Sequence, residues 1–391
     1  MQEQSEQVDA AIPAPMPAAA NDSAPVAETL GFTFTGSGQE YFRIWIVNLM
    51  LTVATLGIYS AWAKVRRLQY FDRNTQLAGA TFDFRGDPKA ILKGRVLAVL
   101  LFASYQYAFG FSAEVGLTVF VTLLVALPWF MRSALRFRLH NTQYRGLRFD
   151  FSGSVGGAYR AYLPPLVTFL LPGVVLALMP GKLTGLYAFL LYVAWPLMYG
   201  AMKGYQQRHL EFGAAAATYT LPAHRFIKPF LIALLIALAG MLVLMTALGI
   251  TSFAWTKLAG GASRSSWMMM VVPFLGSLLA AYILYLLAGP YLQARYTNLV
   301  WSHTAFPGLE IRSTMRAREF VRLQTVNAVL TLLTLGLFRP FAAVRVYRYR
   351  IEHLAVHAGA SLEQHIAAAA RKPAGASGDG VADFGMIDLS W

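Results

Sequence analysis

Two stretches near opposite ends of this 391-residue chain carry the same polar side chains at the same spacing. Glu40, Arg43, Asn48, Thr52, Thr55 and Gly57 in the first are matched by Glu319, Arg322, Asn327, Thr331, Thr334 and Gly336 in the second. Residues 40–70 and 319–349 share 13 of 31 positions. Shared apolar residues alone would mean little, but shared Glu, Arg, Asn and Gly inside an apolar setting mark a repeated design. Each copy has basic residues on both sides of its apolar part, which suits a re-entrant segment better than a crossing one. The alternative is a pair of ordinary spans. Thr-Leu-Gly is the expected break, since irregular backbone at membrane depth is tolerated where protein buries it. The twelve residues form a candidate re-entrant motif and gate, with the asparagines expected to hold helices together.

A second candidate set is Tyr192, Trp195 and Tyr199, spaced i, i+3, i+7 as on one helical face, with Gln106 in an earlier apolar stretch. These could line a cavity for an uncharged or anionic solute. The third set is basic. Arg66, Arg67, Arg132, Arg136, Arg138 and Arg345 form a collar suited to anionic lipid headgroups. The net charge of +14 is therefore read as membrane-facing, and no nucleic acid is expected.

Catalytic chemistry is missing. All 19 Asp and Glu residues and all 7 His residues fall outside the six longest apolar stretches. Proton relays and intramembrane hydrolases need such groups at depth. Neither HExxH nor a phosphate-binding GxxxxGK[ST] occurs. His353 and His357 lie four apart, but two ligands without a third make a poor metal site. No cofactor, no metal and no enzymatic activity are expected.

The elements that must position these groups follow from composition. Hydrophobic residues make up 57% and charged ones 13%, against about 25% charged in a soluble globule. Stretches 96–113, 115–131, 161–179, 183–202, 229–250 and 267–291 are read as six transmembrane spans in three tandem hairpins. Twenty-three Lys and Arg residues lie in the connectors on one side and three in the turns on the other. By the positive-inside rule the former face the cytoplasm, as do both termini.

The connectors repeat too. NTQLAGATFDFRG at 74–86 and NTQYRGLRFDFSG at 141–153 share eight of thirteen residues, with weaker copies at 208–220 and 303–315. Their alternating apolar residues predict short extended segments, able to pair with one another and leave no open edge. The expected fold class is thus an all-α polytopic membrane protein with extended cytoplasmic connectors. Repeat units run over 74–140, 141–207 and 208–302, within a membrane domain of 32–356. Residues 1–31, rich in Ala, Pro and acids, read as a disordered tail, and 357–391 as a second tail.

The elements TLGIYSAWAKVRR and NTQLAG, within residues 32–356, resemble the YjgN family of bacterial inner-membrane proteins. That resemblance implies a bacterial cytoplasmic-membrane location and, the family's function being undefined, supplies no site residues. Two functions remain: a passive channel or facilitative transporter for a small solute, and a membrane-organisation protein binding anionic lipids or protein partners.

Overall fold

A computed structural model of the chain describes residues 28–178, 192–258, 266–359 and 362–370, with positions 181 and 185. The connectors are built on short, specific turns. Strands β2 (Thr75–Leu77) and β3 (Ala80–Phe84) are joined by Ala78 and Gly79. Both residues have positive φ, as a type I′ turn requires. β4 (Thr142–Tyr144) and β5 (Leu147–Phe151) repeat this with Arg145 and Gly146. β9 (Thr304–Phe306) and β10 (Leu309–Ser313) use Pro307 and Gly308, with φ +74° at the glycine.

The longer strands divide their hydrogen bonds between two neighbours. In β3, Ala80 and Thr81 pair with β2, whereas Phe82–Phe84 pair with β4. β5 turns in the same way from β4 to β6 (Leu210–Phe212). β1 (Glu28–Phe34) joins β11 (Leu354–Ala358) through residues 28–31 and β2 through residues 32–34. The result is one eleven-stranded antiparallel sheet, ordered β7-β6-β5-β4-β3-β2-β1-β11-β10-β9-β8. Its ends, β7 (Ala215–Ala216) and β8 (Thr218–Tyr219), are separated in the chain by Ala217 alone. The sheet is therefore curled into a nearly closed barrel, which leaves little open edge.

Period-two alternation sends one face of every strand inward. Leu77, Tyr144, Phe212, Leu309, Val356 and Ala358 are buried there, with Phe32, Phe82, Phe149 and Phe306 packed against them. Phe82 stacks on Tyr144 at 4.6 Å and Phe149 meets Phe212 at 4.9 Å between ring centroids.

Above the barrel stand helical pairs: α1 (Gly38–Ala54) with α2 (Ser60–Arg73), α3 (Pro88–Phe111) with α4 (Ala113–His140), and α5 (Val155–Leu178) with α6 (Trp195–Arg208). α7 (Ile227–Leu258) pairs with α8 (Ser266–Trp301), and α9 (Ala317–Leu333) with α10 (Arg339–Glu352). Each pair packs on the next and α10 returns to α1, so the described helices close a ring. At each of five junctions a helix ends on Asn74, Asn141, His209, His303 or His353, whose side chain bonds the carbonyl four residues back at 2.7–2.9 Å. The same residue's carbonyl then accepts the N–H of Thr35, Arg85, Ser152, Thr220 or Thr314, just beyond the neighbouring long strand. A carbonyl can only accept, so the three histidines carry a proton on Nδ1. Asn and His are interchangeable here because each offers an N–H at the same short reach.

Between these junctions β2–β3, β4–β5, β6–β7 and β9–β10 pair as consecutive hairpins. The fifth pairing of this kind is made by β1 and β11, the two ends of the domain. That is why the chain repeats its opening segment near its close: α1–α2 and α9–α10 are the hairpins on either side of this joint.

Two expectations are corrected. The all-α class fails because the connectors build the eleven-stranded sheet; each strand is two to seven residues long, and most have one partner across a short turn and another a helical pair away, where local periodicity cannot see it. Six spans are not found either. Among the described residues two helices, Ala113–His140 and Ala223–Thr246, are long and apolar enough to cross a membrane. Most of 183–191 lies outside the described residues. Residues 28–31, read from composition as tail, belong to β1, and the C-terminal segment contains helix α11 (Leu362–Ala370).

Candidate functional site

The paired motif folds into two helical hairpins alike in detail. In the first, the α1 N-terminus lies beside the α2 C-terminus: Tyr70 donates its hydroxyl to the Ser37 carbonyl at 2.8 Å and lies 3.2 Å from Glu40. In the last, Tyr349 reaches Arg316 and Glu319 at 3.2 Å each. Arg316 adds an ion pair to Glu319 at 3.0 Å. This hydrogen-bonded arginine holds the Glu319 carboxyl below its ordinary range. Arg43 and Arg322 are exposed.

The tips match bond for bond. Thr52 and Thr331 donate to the carbonyls of Asn48 and Asn327 at 2.6 and 2.7 Å. Thr55 and Thr334 donate to Leu51 and Leu330, and each also accepts the N–H of Tyr59 or Phe338 at 2.9 Å. The Gly57 and Gly336 N–H groups return to Thr52 and Thr331 at 2.7 Å. This closes the helix as in a Schellman turn. The residue before each glycine, Leu56 or Leu335, has φ near +50° and is over 90% exposed. Ile58 and Leu337 are exposed beside them.

Asn48 and Asn327 are buried, yet the Asn48 Oδ1 and both amide atoms of Asn327 have no hydrogen-bond partner. The expected interhelical bonds are not made by these atoms.

The second set divides. Tyr192 stands in a 3₁₀ turn and donates to the Phe169 carbonyl at 3.3 Å, while Trp195 opens α6. The i, i+3, i+7 spacing gives one face only in an unbroken α-helix, and the turn breaks it. Gln106 is exposed on α3. Tyr199 is at the centre of an aromatic group, stacked on Tyr296 at 5.0 Å and edge-on to Phe226 at 5.8 Å. Lys203, one turn on, places its ammonium 5.5 Å from the Tyr199 ring. Lys203 is not singled out by the sequence, where it looks like one more basic residue near a helix end.

The basic set also divides. Arg66 and Arg345 occupy equivalent positions and lie over Tyr59 and Phe338 at 5.7 and 6.0 Å. Arg67 and Arg138 are exposed. Arg132 is committed to structure, donating to the Gly153 carbonyl at 2.6 Å, and Arg136 is half-buried. Arg138 acts on Asp72, a half-buried carboxyl on α2. Burial pushes Asp72 up to about 6, against the pull of Arg138 and with a push from Asp83. His353 and His357 serve the fold: His353 bonds the Tyr349 carbonyl at 2.7 Å and His357 meets Thr29 at 2.8 Å.

The protein is thus a helical ring bearing many exposed apolar side chains, set on a small barrel. The chain belongs to DUF898, a family of bacterial proteins of unknown function, whose model matches residues 29–384. It is similar to the inner membrane protein YjgN of Escherichia coli O157:H7 and of Escherichia coli strain K12, at 32% and 34% identity over 147 residues. That stretch covers 36% of this chain and 34% of either relative, so the match spans about a third of their length. The protein of the same name from Salmonella typhimurium is 25% identical over 351 residues, 80% of this chain and 84% of that one. No solved structure matches. The relatives and the two apolar helices support an inner-membrane location.

Proposed function

We propose that this chain is a multi-pass inner-membrane protein offering a passive route for a small solute, held shut at its cytoplasmic barrel. The observation that carries the reading is a closed ring of helices with a short helix seated against the barrel core at its foot. Helix α11 lies against the barrel core through Leu362, Ile366 and Ala369. Its polar ties include the Ala214 N–H, which donates to the Ala369 carbonyl at 2.9 Å, and Arg145, which lies 3.9 Å from Glu363. Charge orients the assembly. Arg132, Arg136 and Arg138 end one apolar helix, and Arg225 and Lys228 begin the other, which favours a cytoplasmic barrel and cytoplasmic termini.

The test is solute efflux from vesicles containing the full chain, compared with a Leu362→Asp/Ile366→Asp variant. Introducing carboxylates against the barrel core should unseat α11 and raise efflux at least tenfold. If parent and variant both match protein-free vesicles, the passive route is wrong. The second reading would then stand: a membrane-organising protein docked on anionic lipid. It draws on the twin Arg66–Tyr59 and Arg345–Phe338 contacts beside exposed apolar tips. In this reading the tips enter the apolar layer and the arginines meet headgroups. No nucleic acid or cofactor enters either proposal.

A further inference from the structure

Helix α6 has four sides, and three of them are accounted for. Towards α5 it sets Tyr205 edge-on to Tyr162 at 5.8 Å, with Met202 packed against the same cluster. Towards the chain leading into α7, Gly200 and Gly204 make room for the rings of Phe226 and Tyr219, which an added Cβ would meet at 2.7 and 3.6 Å. The outer side carries Leu197, Ala201 and Arg208, all exposed. The fourth side holds Tyr199, Lys203 and Gln206, spaced i, i+4, i+7. Tyr199 stacks on Tyr296 of α8 at 5.0 Å, reaching past α7. That contact, and the exposed side opposite, place the fourth side on the interior of the ring.

Lys203 is the cation of this inner side. Its ammonium donates to Gln206 Oε1 at 2.9 Å and lies 5.5 Å from the centre of the Tyr199 ring. Gln206 is itself held, since its Nε2 donates to the Tyr162 hydroxyl on α5 at 3.1 Å. A neutral amide and a ring therefore fix the ammonium without cancelling its charge, and an ammonium has three N–H donors to offer. Burial lowers Lys203 to about 8, and no carboxylate is near enough to act on it. Lys203 is partly exposed, so a solute inside the ring can approach it. A fixed cation among aromatic side chains acts strongly on passing ions, because little water screens it.

We propose that Lys203 sets the charge preference of the ring interior, so that the route admits small anions such as halides and carboxylates and rejects cations. This rests on the passive route proposed above and names its substrate class. Gln206 and Tyr199 are positioning residues, acting only through the ammonium.

The experiment measures reversal potentials across planar bilayers under a potassium chloride gradient. It uses the full chain carrying Leu362→Asp/Ile366→Asp, so that α11 is unseated. Its current should prefer chloride. Adding Lys203→Gln should cut the chloride-to-potassium permeability ratio at least fivefold, Lys203→Glu should invert it, and Lys203→Arg should keep it. Arg208→Gln, on the exposed outer side of the same helix, should leave it unchanged. In the parent, Lys203→Gln should not lower the melting temperature, because an unopposed cation has been removed. This separates lost preference from misfolding should the glutamate variant fail to accumulate. A ratio unmoved by both Lys203→Gln and Lys203→Glu overturns this inference and leaves the route standing, and so does a current that prefers potassium. No current at all from the unseated chain overturns the route, and this inference with it.

Discussion

At the foot of the barrel the tight turns pair Ala78 with Gly79 and Arg145 with Gly146; at the tips of the outer helical hairpins Leu56 pairs with Gly57 and Leu335 with Gly336. All four pairs put a non-glycine residue near φ +46 to +50° and then a glycine at larger φ. The backbone device is shared, and the side chains are opposite. Arg145 is used: it donates to the Ala78 carbonyl at 2.7 Å and faces Glu363. The two leucines are left bare, in a conformation that Gly or Asn adopts more easily. A water-facing turn has no reason to hold a strained, exposed leucine. A turn that meets lipid does, since the apolar side chain gains there what the backbone loses. The comparison shows one backbone device carrying a committed charge at one end of the protein and a bare apolar side chain at the other.

The largest expected effect lies in the barrel. Phe149→Ala removes a ring packed between Phe82 and Phe212 and should cost about 3–5 kcal/mol. Denaturant unfolding in detergent measures this, and the matching truncation Leu335→Ala should change stability far less. Equal losses would break the contrast between a packed foot and a bare tip.

Next comes the junction between the two regions. Asp72 titrates near 6 in the folded chain, above its ordinary 3.8. The folded state therefore holds this proton more tightly than the unfolded one, and stability falls as pH rises from about 4 through about 6. Asp72→Asn removes that loss. Its melting temperature should exceed the parent's at pH 8 and match it near pH 4; a constant difference would show that the carboxyl does not titrate as stated.

The smallest effect sharpens the tips. Leu56→Asn with Leu335→Asn should relieve strain and raise stability in detergent by about 1 kcal/mol in all. The same pair should weaken retention in vesicles under alkaline extraction. Stability gained with retention unchanged would remove the lipid explanation for these leucines.

Much of this protein was legible without coordinates. The match between 40–70 and 319–349 rested on Asn, Thr and Gly residues that prove to make the same bonds in both tips. The alternation in TFDF and RFDF gave the strands β3 and β5, and the glycine before them gave the turns. What misled was length: apolar runs were read as spans, although only two described helices meet that standard.

The sequence by itself determined the local devices. A two-residue turn, an Asn or His helix end and a Thr-Leu-Gly break depend on neighbours within about five residues, so their chemistry is written in order along the chain. Tertiary structure alone decided closure. Glu28–Gly31 pairs with Ala355–Ala358 across the whole length of the domain, and Tyr199 of α6 stacks on Tyr296 of α8 only because the ring brings those helices together. Such contacts have no sequence period. They follow from burying one face of every strand and helix at once, a condition on the whole chain that no single segment expresses.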